Sequence, residues 1–475
     1  MMSAQKLVGS LAGQVPLDSH ELGKPSEDIV ASLQEALAAK LLAPSDYQAA
    51  VIVGTHGGVV LAALRQIAPA IRHFLVLESN TERARVLVEN LKDSSSLDGV
   101  YVSDLSRASP GYSFEAYLEI AGFLVRTGAR IDRTFLLVVA DEADDQAGAA
   151  IVTALRDLFE NGSRVLLDAC RDEAAIPVSV ILPWADYLAG AGEPLTALDF
   201  YYLLAKCVDK RTIAGRIAKL WIGLTCFEPL REWVPFLADS EADQARLREE
   251  IDSTIKLADD ATRERFAANL AALGKLQPDL VRTLEAHQPA KGLFVAFLPD
   301  APWLVSPRGV KRGEYPMLLS IEQGRIRQHT RLPKPTEMAR LLEPLQRKTH
   351  DAVVLGSLEI YALVVCIGHW MVEQSLSNRA SSIYALDRDI DRFWFLLGAA
   401  DISSFVGSDR FLWFVGEDAA EQLGAHLESS EERPWPSWLV ASDLQTRETI
   451  ERHMRGQGLM GDNRLDPRFG HRVAG

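Results

Sequence analysis

Two acids close apolar runs at positions where a nucleotide ligand could be held. Glu78 ends HFLVLE and Asp387 ends SIYALD, and Asp387 is followed by Arg388 and Asp389. A carboxylate at a strand end can accept two charge-assisted hydrogen bonds from a vicinal diol such as that of a ribose. Upstream of each acid a glycine ends a run of β-branched residues. These are Gly54 in AAVIVGTHGG, with Gly57 and Gly58 behind it, and Gly356 in DAVVLGSLEIY. Glycine tolerates positive φ and lets a ligand come close to the backbone. An apolar helical stretch follows each glycine, so the order strand, turn, helix, strand, acid occurs twice. Such a unit aims a helix N-terminus, with its unpaired N–H groups, and a carboxylate at one edge of a parallel sheet. The sequence therefore predicts a nucleotide-containing small molecule as ligand, held around Gly54, Gly57, Gly58, Glu78, Gly356, Asp387 and Asp389.

The elements that must carry these residues follow from periodicity. From Ala49 the chain alternates strand AAVIVG, helix VVLAALRQIA, strand HFLVLE, helix TERARVLVENLK and strand GVYVSD. It continues with helix SFEAYLEIAGFLVRTGA, strand TFLLVVAD, a further helix, and strands RVLLDA and VSVILPW. Alternation of this kind implies parallel crossovers and a doubly wound sheet. Long Ala, Leu, Glu and Arg-rich segments then replace the strands, until GLFVAFLP and the second nucleotide-type unit. The predicted fold is α/β, with two Rossmann-like doubly wound parallel-sheet domains separated by a helical segment. Residues 1–46 form a helical lead-in, 47–190 the first domain, 191–290 the helical linker or insert, 291–455 the second domain and 456–475 a flexible tail. The charge run EADQARLREEIDSTIKLADDATRERF reads as a solvated helix face.

Composition narrows the function classes. The chain has 475 residues, 48% of them hydrophobic, and a formal net charge of −15. That size calls for more than one core, and that charge opposes binding to nucleic acid or to an anionic membrane. The 4 cysteines are far apart and form no C-x-x-C pair, which points to a reducing cytoplasm and away from disulfide or zinc frameworks. No sustained apolar segment reads as a leader or a membrane span. There is no G-x-S-x-G elbow, no H-E-x-x-H and no Walker A loop, which disfavours hydrolase, metalloprotease and P-loop readings. His56 reads as a loop residue. Trp184 and Tyr187 read as the end of a strand, packed at a sheet edge.

Two family resemblances add to this reading. VGTHGG with ESNTERARVLVENLK resembles the first motifs of class I S-adenosylmethionine-dependent methyltransferases. That resemblance implies S-adenosylmethionine near Gly54, Gly57 and Gly58, with Glu78 on the ribose hydroxyls and Asp141 at the end of TFLLVVAD facing the substrate. PMLLSIEQGRIRQHTRLPKPTEMARLLEPL, DAVVLGSLEIYAL and SIYALDRDIDRFWFLLGAADISSFVGSDRFLWFVGED together resemble the N-terminal domain of motility accessory factor (Maf-type) flagellin glycosyltransferases. The counterparts are Pro335, Glu337, Gly356, Asp387, Asp389 and Phe414 to Glu417. This second resemblance implies a sugar nucleotide as ligand, and flagellin or another protein as acceptor. The Asp387, Arg388, Asp389 spacing also fits a divalent cation on a diphosphate, but diol binding or helix capping by these acids is favoured. A scaffold with no catalysis remains the third alternative.

Overall fold

The computed structural model describes residues 47–54, 59–78, 81–92, 99–105, 112–138, 162–173, 176–298, 315–331, 352–356, 382–429 and 438–440, with isolated positions elsewhere. Gly57, Gly58, His56, Asp141, Pro335 and Glu337 lie outside the described residues. The chain divides into two compact units, Met1–Asp209 and Lys210–Gly475. The helical stretch expected over 191–290 is thus shared between them.

In the first unit β1 (Ala49–Val53) leads to α1 (Val59–Ile67), β2 (His73–Glu78), α2 (Thr81–Lys92), β3 (Val100–Asp104), α3 (Tyr112–Thr127) and β4 (Thr134–Val138). The four strands are parallel in the order β3-β2-β1-β4, and Ala49 pairs with His73 on one side and Thr134 on the other. All five residues of β1 are buried, as a central strand covered on both faces requires. Ala50, Ile52, Phe74, Val76, Phe135 and Leu137 share one face with Val60, Leu61 and Leu64 of α1, while α3 packs against β2.

Two expected strands of this unit are helices. RVLLDA belongs to α4 (Arg164–Asp172) and VSVILPW to α5 (Val178–Gly190), and α6 (Pro194–Leu204) follows. Short apolar runs do not distinguish a strand from a buried helix. The longer windows do: α5 buries Ile181, Trp184, Ala185 and Leu188, spaced by three and four. Trp184 and Tyr187 therefore sit on a helix, stacked with centroids 5.0 Å apart. The Tyr187 hydroxyl donates to the Ala129 carbonyl at 2.6 Å, so this pair packs α5 and lines no strand end.

The second unit begins with α7 (Lys210–Gly223), α8 (Val234–Leu237), α9 (Glu241–Leu273) and α10 (Pro278–Ala286). The Ser240 hydroxyl caps the 33-residue α9 by accepting from the Asp243 N–H. Then β5 (Leu293–Leu298), β6 (Tyr315–Glu322) and β7 (Arg325–Gln328) form an antiparallel sheet. The β6–β7 turn holds Gln323 at φ 54° and Gly324 at φ 75°, the double positive φ of a tight two-residue hairpin. A second parallel sheet follows, of β8 (Ala352–Leu355), β9 (Ser382–Asp387), β10 (Phe411–Val415) and β11 (Trp438–Val440). Its helices are α11 (Ile390–Ala399), α12 (Ser403–Val406) and α13 (Ala419–Ser429).

The second parallel sheet has the order β10-β9-β8-β11, so both sheets place their strands third, second, first, fourth. One face buries Val354, Tyr384, Leu386, Leu412 and Phe414 under Ala419, Ala420, Leu423 and Leu427 of α13. On the other, Trp413 stacks between Phe393 and Phe411, at 4.8 and 4.5 Å between centroids. Helix α11 lies against α9 closely enough that a Cβ on Gly398 would stand 2.7 Å from Thr262 Cγ2. The fold is thus α/β with two parallel sheets. No helix among the described residues is long and apolar enough to cross a membrane.

Candidate functional site

The two sheets treat their acids alike. Glu78 ends β2 beside the central β1, and its carbonyl accepts from Leu105, the residue after β3, at 2.8 Å. Asp387 ends β9 beside the central β8, and its carbonyl accepts from Gly416, the residue after β10, at 2.9 Å. Gly54 leaves β1 at φ 89° with its N–H on the Leu77 carbonyl, 2.9 Å away. Only glycine holds that φ without strain. Both acids stand at carboxyl ends of strands adjacent to the central one, and both side chains are buried, Glu78 at 0% and Asp387 at 2% exposure.

In the second unit this corner opens into a cleft of about 1160 Å³. Gly356, Asp387, Arg388, Asp389 and Arg392 line it from β8, β9 and α11, Trp413 to Asp418 from the end of β10, and Leu276 to Leu280 from the start of α10. The first turns of α10, α11 and α13 all contribute to the lining. Gly356, Asp387, Asp389 and the Phe414 to Glu417 run, expected from sequence, are therefore gathered in one place. Gln277, Asp279, Arg392, Asp418 and Gln422 join them without having been expected.

The acid pair is wired internally. Asp387 Oδ1 accepts the Asp389 N–H at 2.9 Å, and Asp389 Oδ1 accepts the Arg392 N–H at 3.3 Å as the N-cap of α11. The Arg392 guanidinium lies at ion-pair distance from both carboxylates, 3.4 Å from Asp387 Oδ2 and 3.5 Å from Asp389 Oδ2. One arginine thus offsets part of the charge that a divalent cation would otherwise have to balance. No cluster of three or more His, Cys, Asp or Glu suited to a metal is present among the described residues. The D-x-D geometry is that of a capped helix start.

Gln277 fixes the α10 wall. Its side-chain Nε2 donates to the Trp413 carbonyl at 2.8 Å and its Oε1 accepts the Trp413 N–H at 3.0 Å. Among the described residues the cleft lining carries Asp279, Asp387, Asp389, Glu417 and Asp418 against Arg388 and Arg392, a formal excess of three negative charges. Three helix N-termini return only about +1.5. This wall therefore suits hydroxyls better than a bare polyphosphate.

Outside the cleft, His287 Nε2 lies 2.6 Å from Asp391 Oδ1, which also accepts the Ala290 N–H. Ser320 Oγ lies 3.0 Å from His329 Nε2. Burial, helped by Arg327 and Arg392 and opposed by Asp389 and Glu322, pushes the His329 imidazole below its usual pKa. Burial, with Glu173 nearby, pushes the Cys170 thiol up to about 12, and burial with Glu228 raises that of Cys226 as well. Neither cysteine is a thiolate nucleophile at neutral pH.

No single signal in the sequence points to Gln277, Arg392 or His329, because each acts on partners far away in the chain or on a helix start that only the fold defines. No protein-family model, curated protein or solved structure matches this chain.

Proposed function

We propose that the second unit is a Rossmann-like nucleotide-binding module, and that its ligand occupies the cleft at the carboxyl ends of β9 and β10. One observation carries this reading: Asp387, at the end of the strand beside the central β8, opens onto that cleft together with Gly356. Ligands of open parallel sheets bind at that edge, and an acid there suits a ribose or sugar diol. The resemblance to Maf-type flagellin glycosyltransferases extends the reading to a sugar nucleotide, used in glycosyl transfer to a protein such as flagellin in the cytoplasm. The net negative lining argues that the described wall receives the hydroxylated part of the ligand.

The test is a thermal-shift and calorimetric screen of the full chain against CMP, UDP, their sugar conjugates and S-adenosylmethionine. A true ligand at a hundred times its Kd adds roughly 2.7 kcal/mol of stability, and Asp387→Ala should remove that gain while the protein stays folded. A folded chain that none of these compounds stabilises would overturn the proposal.

The second reading, a methyltransferase, draws on Gly54 at φ 89° and on Glu78 at the end of the neighbouring strand. Under it, S-adenosylmethionine binds the first unit. Glu78→Ala then weakens binding by about 1.5 to 3 kcal/mol, the range for a hydrogen bond to a charged group, and Asp387→Ala leaves it unchanged.

A further inference from the structure

On the α10 side of the cleft the polar side chains are engaged within the protein and the apolar ones are bare. Leu276 to Leu280 and Thr283 supply this part of the lining. The Gln277 amide is spent on the Trp413 backbone, the Asp279 carboxylate pairs with Arg282, and the Thr283 hydroxyl donates to the Asp279 carbonyl at 3.1 Å. Leu276, Pro278 and Leu280 are left as an apolar shelf. Among the described residues Leu276 is the one exposed large hydrophobic that lines the cleft, at 39% exposure. The shelf is fixed in place: the Leu276 and Gln277 N–H groups both donate to the Leu273 carbonyl at the end of α9, at 3.0 and 2.9 Å. Pro278 then sets the first φ of α10.

A bare leucine in a cleft gains most where a ligand takes it out of water. The rest of the lining is of another kind, with Gly356, Asp387 and Asp389 at the strand ends. An apolar shelf and a diol-binding acid in one cleft fit a flat ring joined to a hydroxylated one, which is a nucleoside. We propose that Leu276, Pro278 and Leu280 form the base subsite: the nucleobase lies on this shelf, the ribose diol reaches Asp387, and the phosphates stay clear of the acid-rich lining. This assignment rests on the nucleotide-binding reading above. It adds a specificity element from outside the parallel sheet, since α10 precedes all four of that sheet's strands in the chain. Aliphatic side chains hold a ring by its faces and read no base edge, so the shelf favours nucleotides over sugar phosphates without choosing among bases.

Titration calorimetry of the full chain with AMP, CMP and ribose 5-phosphate tests it. In the wild type both nucleotides should bind at least about tenfold more tightly than ribose 5-phosphate, the order expected when a base buries apolar surface on the shelf. Leu276→Ser should weaken both nucleotides by roughly tenfold and leave ribose 5-phosphate unchanged, whereas Leu276→Met, apolar and of similar volume, should stay within about twofold of the wild type. Asp387→Ala should weaken all three compounds. Ribose 5-phosphate binding as tightly as AMP and CMP would overturn the base subsite, and that comparison needs no variant. Nucleotide affinity unchanged in folded Leu276→Ser would overturn it too, while leaving the nucleotide-binding reading in place. A wild-type chain that binds neither nucleotide would bring down both.

Discussion

Asn269 and Gln277 solve the same problem with the same group, a primary amide answering backbone that secondary structure leaves unpaired. Fully buried Asn269 donates to the Leu397 and Ala400 carbonyls at 2.7 and 2.8 Å and accepts the Ile402 N–H at 3.1 Å. Asn269→Ala strands all three, so we expect a loss of about 3 kcal/mol in urea denaturation, at the upper end for a buried unsatisfied group. Nearby, Gly398→Ala drives a methyl into Thr262 Cγ2 and should cost about 1 to 3 kcal/mol. Adding Thr262→Ser deletes that Cγ2, so the double variant should recover most of the loss. A double variant no more stable than Gly398→Ala would locate the strain elsewhere. His329 sets a pH dependence whose sign is fixed. Its folded pKa is depressed, so the unfolded chain binds the proton first. The stability contributed by neutral His329 is full above its ordinary pKa of about 6.5 and is lost as pH falls through its lower folded value. The difference in melting temperature between wild type and His329→Gln should therefore be constant above about pH 6.5 and change as the pH falls from there to that lower value.

At the scale of elements, the start of α11 shows how one acid can serve a helix and a cleft together. Asp389→Ala removes the N-cap and should cost about 1 kcal/mol, whereas Asp389→Asn should cost a few tenths. Because Arg392 already accompanies both acids, EDTA should leave any nucleotide affinity measured by calorimetry unchanged. Affinity lost with EDTA and restored by Mg²⁺ would return these acids to a metal role. The sequence disclosed the strands better than the helices that look like strands. AAVIV, HFLVLE, SIYALD and FLWFV are β-branched or aromatic runs ended by glycine or an acid, and each forms a strand. RVLLDA and VSVILPW share that composition, but the continuations CRD and ADYLAG carry the helical period. That period outweighs the β-branched bias once Leu166, Leu167 and Cys170, and Ile181 to Leu188, find partners to bury against. Of the site, the acids and Gly356 were legible because local order puts them at strand ends. The α10 wall was not, since Gln277 meets Trp413 across 136 residues of sequence.

For the whole molecule, two compact units joined at Asp209 and Lys210 predict two cooperative folding blocks. Scanning calorimetry should show a van't Hoff enthalpy well below the calorimetric one, because a single two-state transition does not describe such a chain. Equal enthalpies would mean that the units unfold as one. The Gln277 amide also has a consequence for how copies of the chain behave together. Among the described strands β10 is the rim of its sheet, and the Trp413 N–H and C=O that point away from β9 are the groups on which a strand from another molecule would register. Gln277 occupies both. With Gln277→Ala the Trp413 N–H and C=O would lose their partner on a strand, FLWFV, that is aromatic and uncharged, the composition of an aggregation-prone segment. Light scattering on concentrated samples should then show self-association that the parent chain resists, through the loss of a side chain that touches no other molecule.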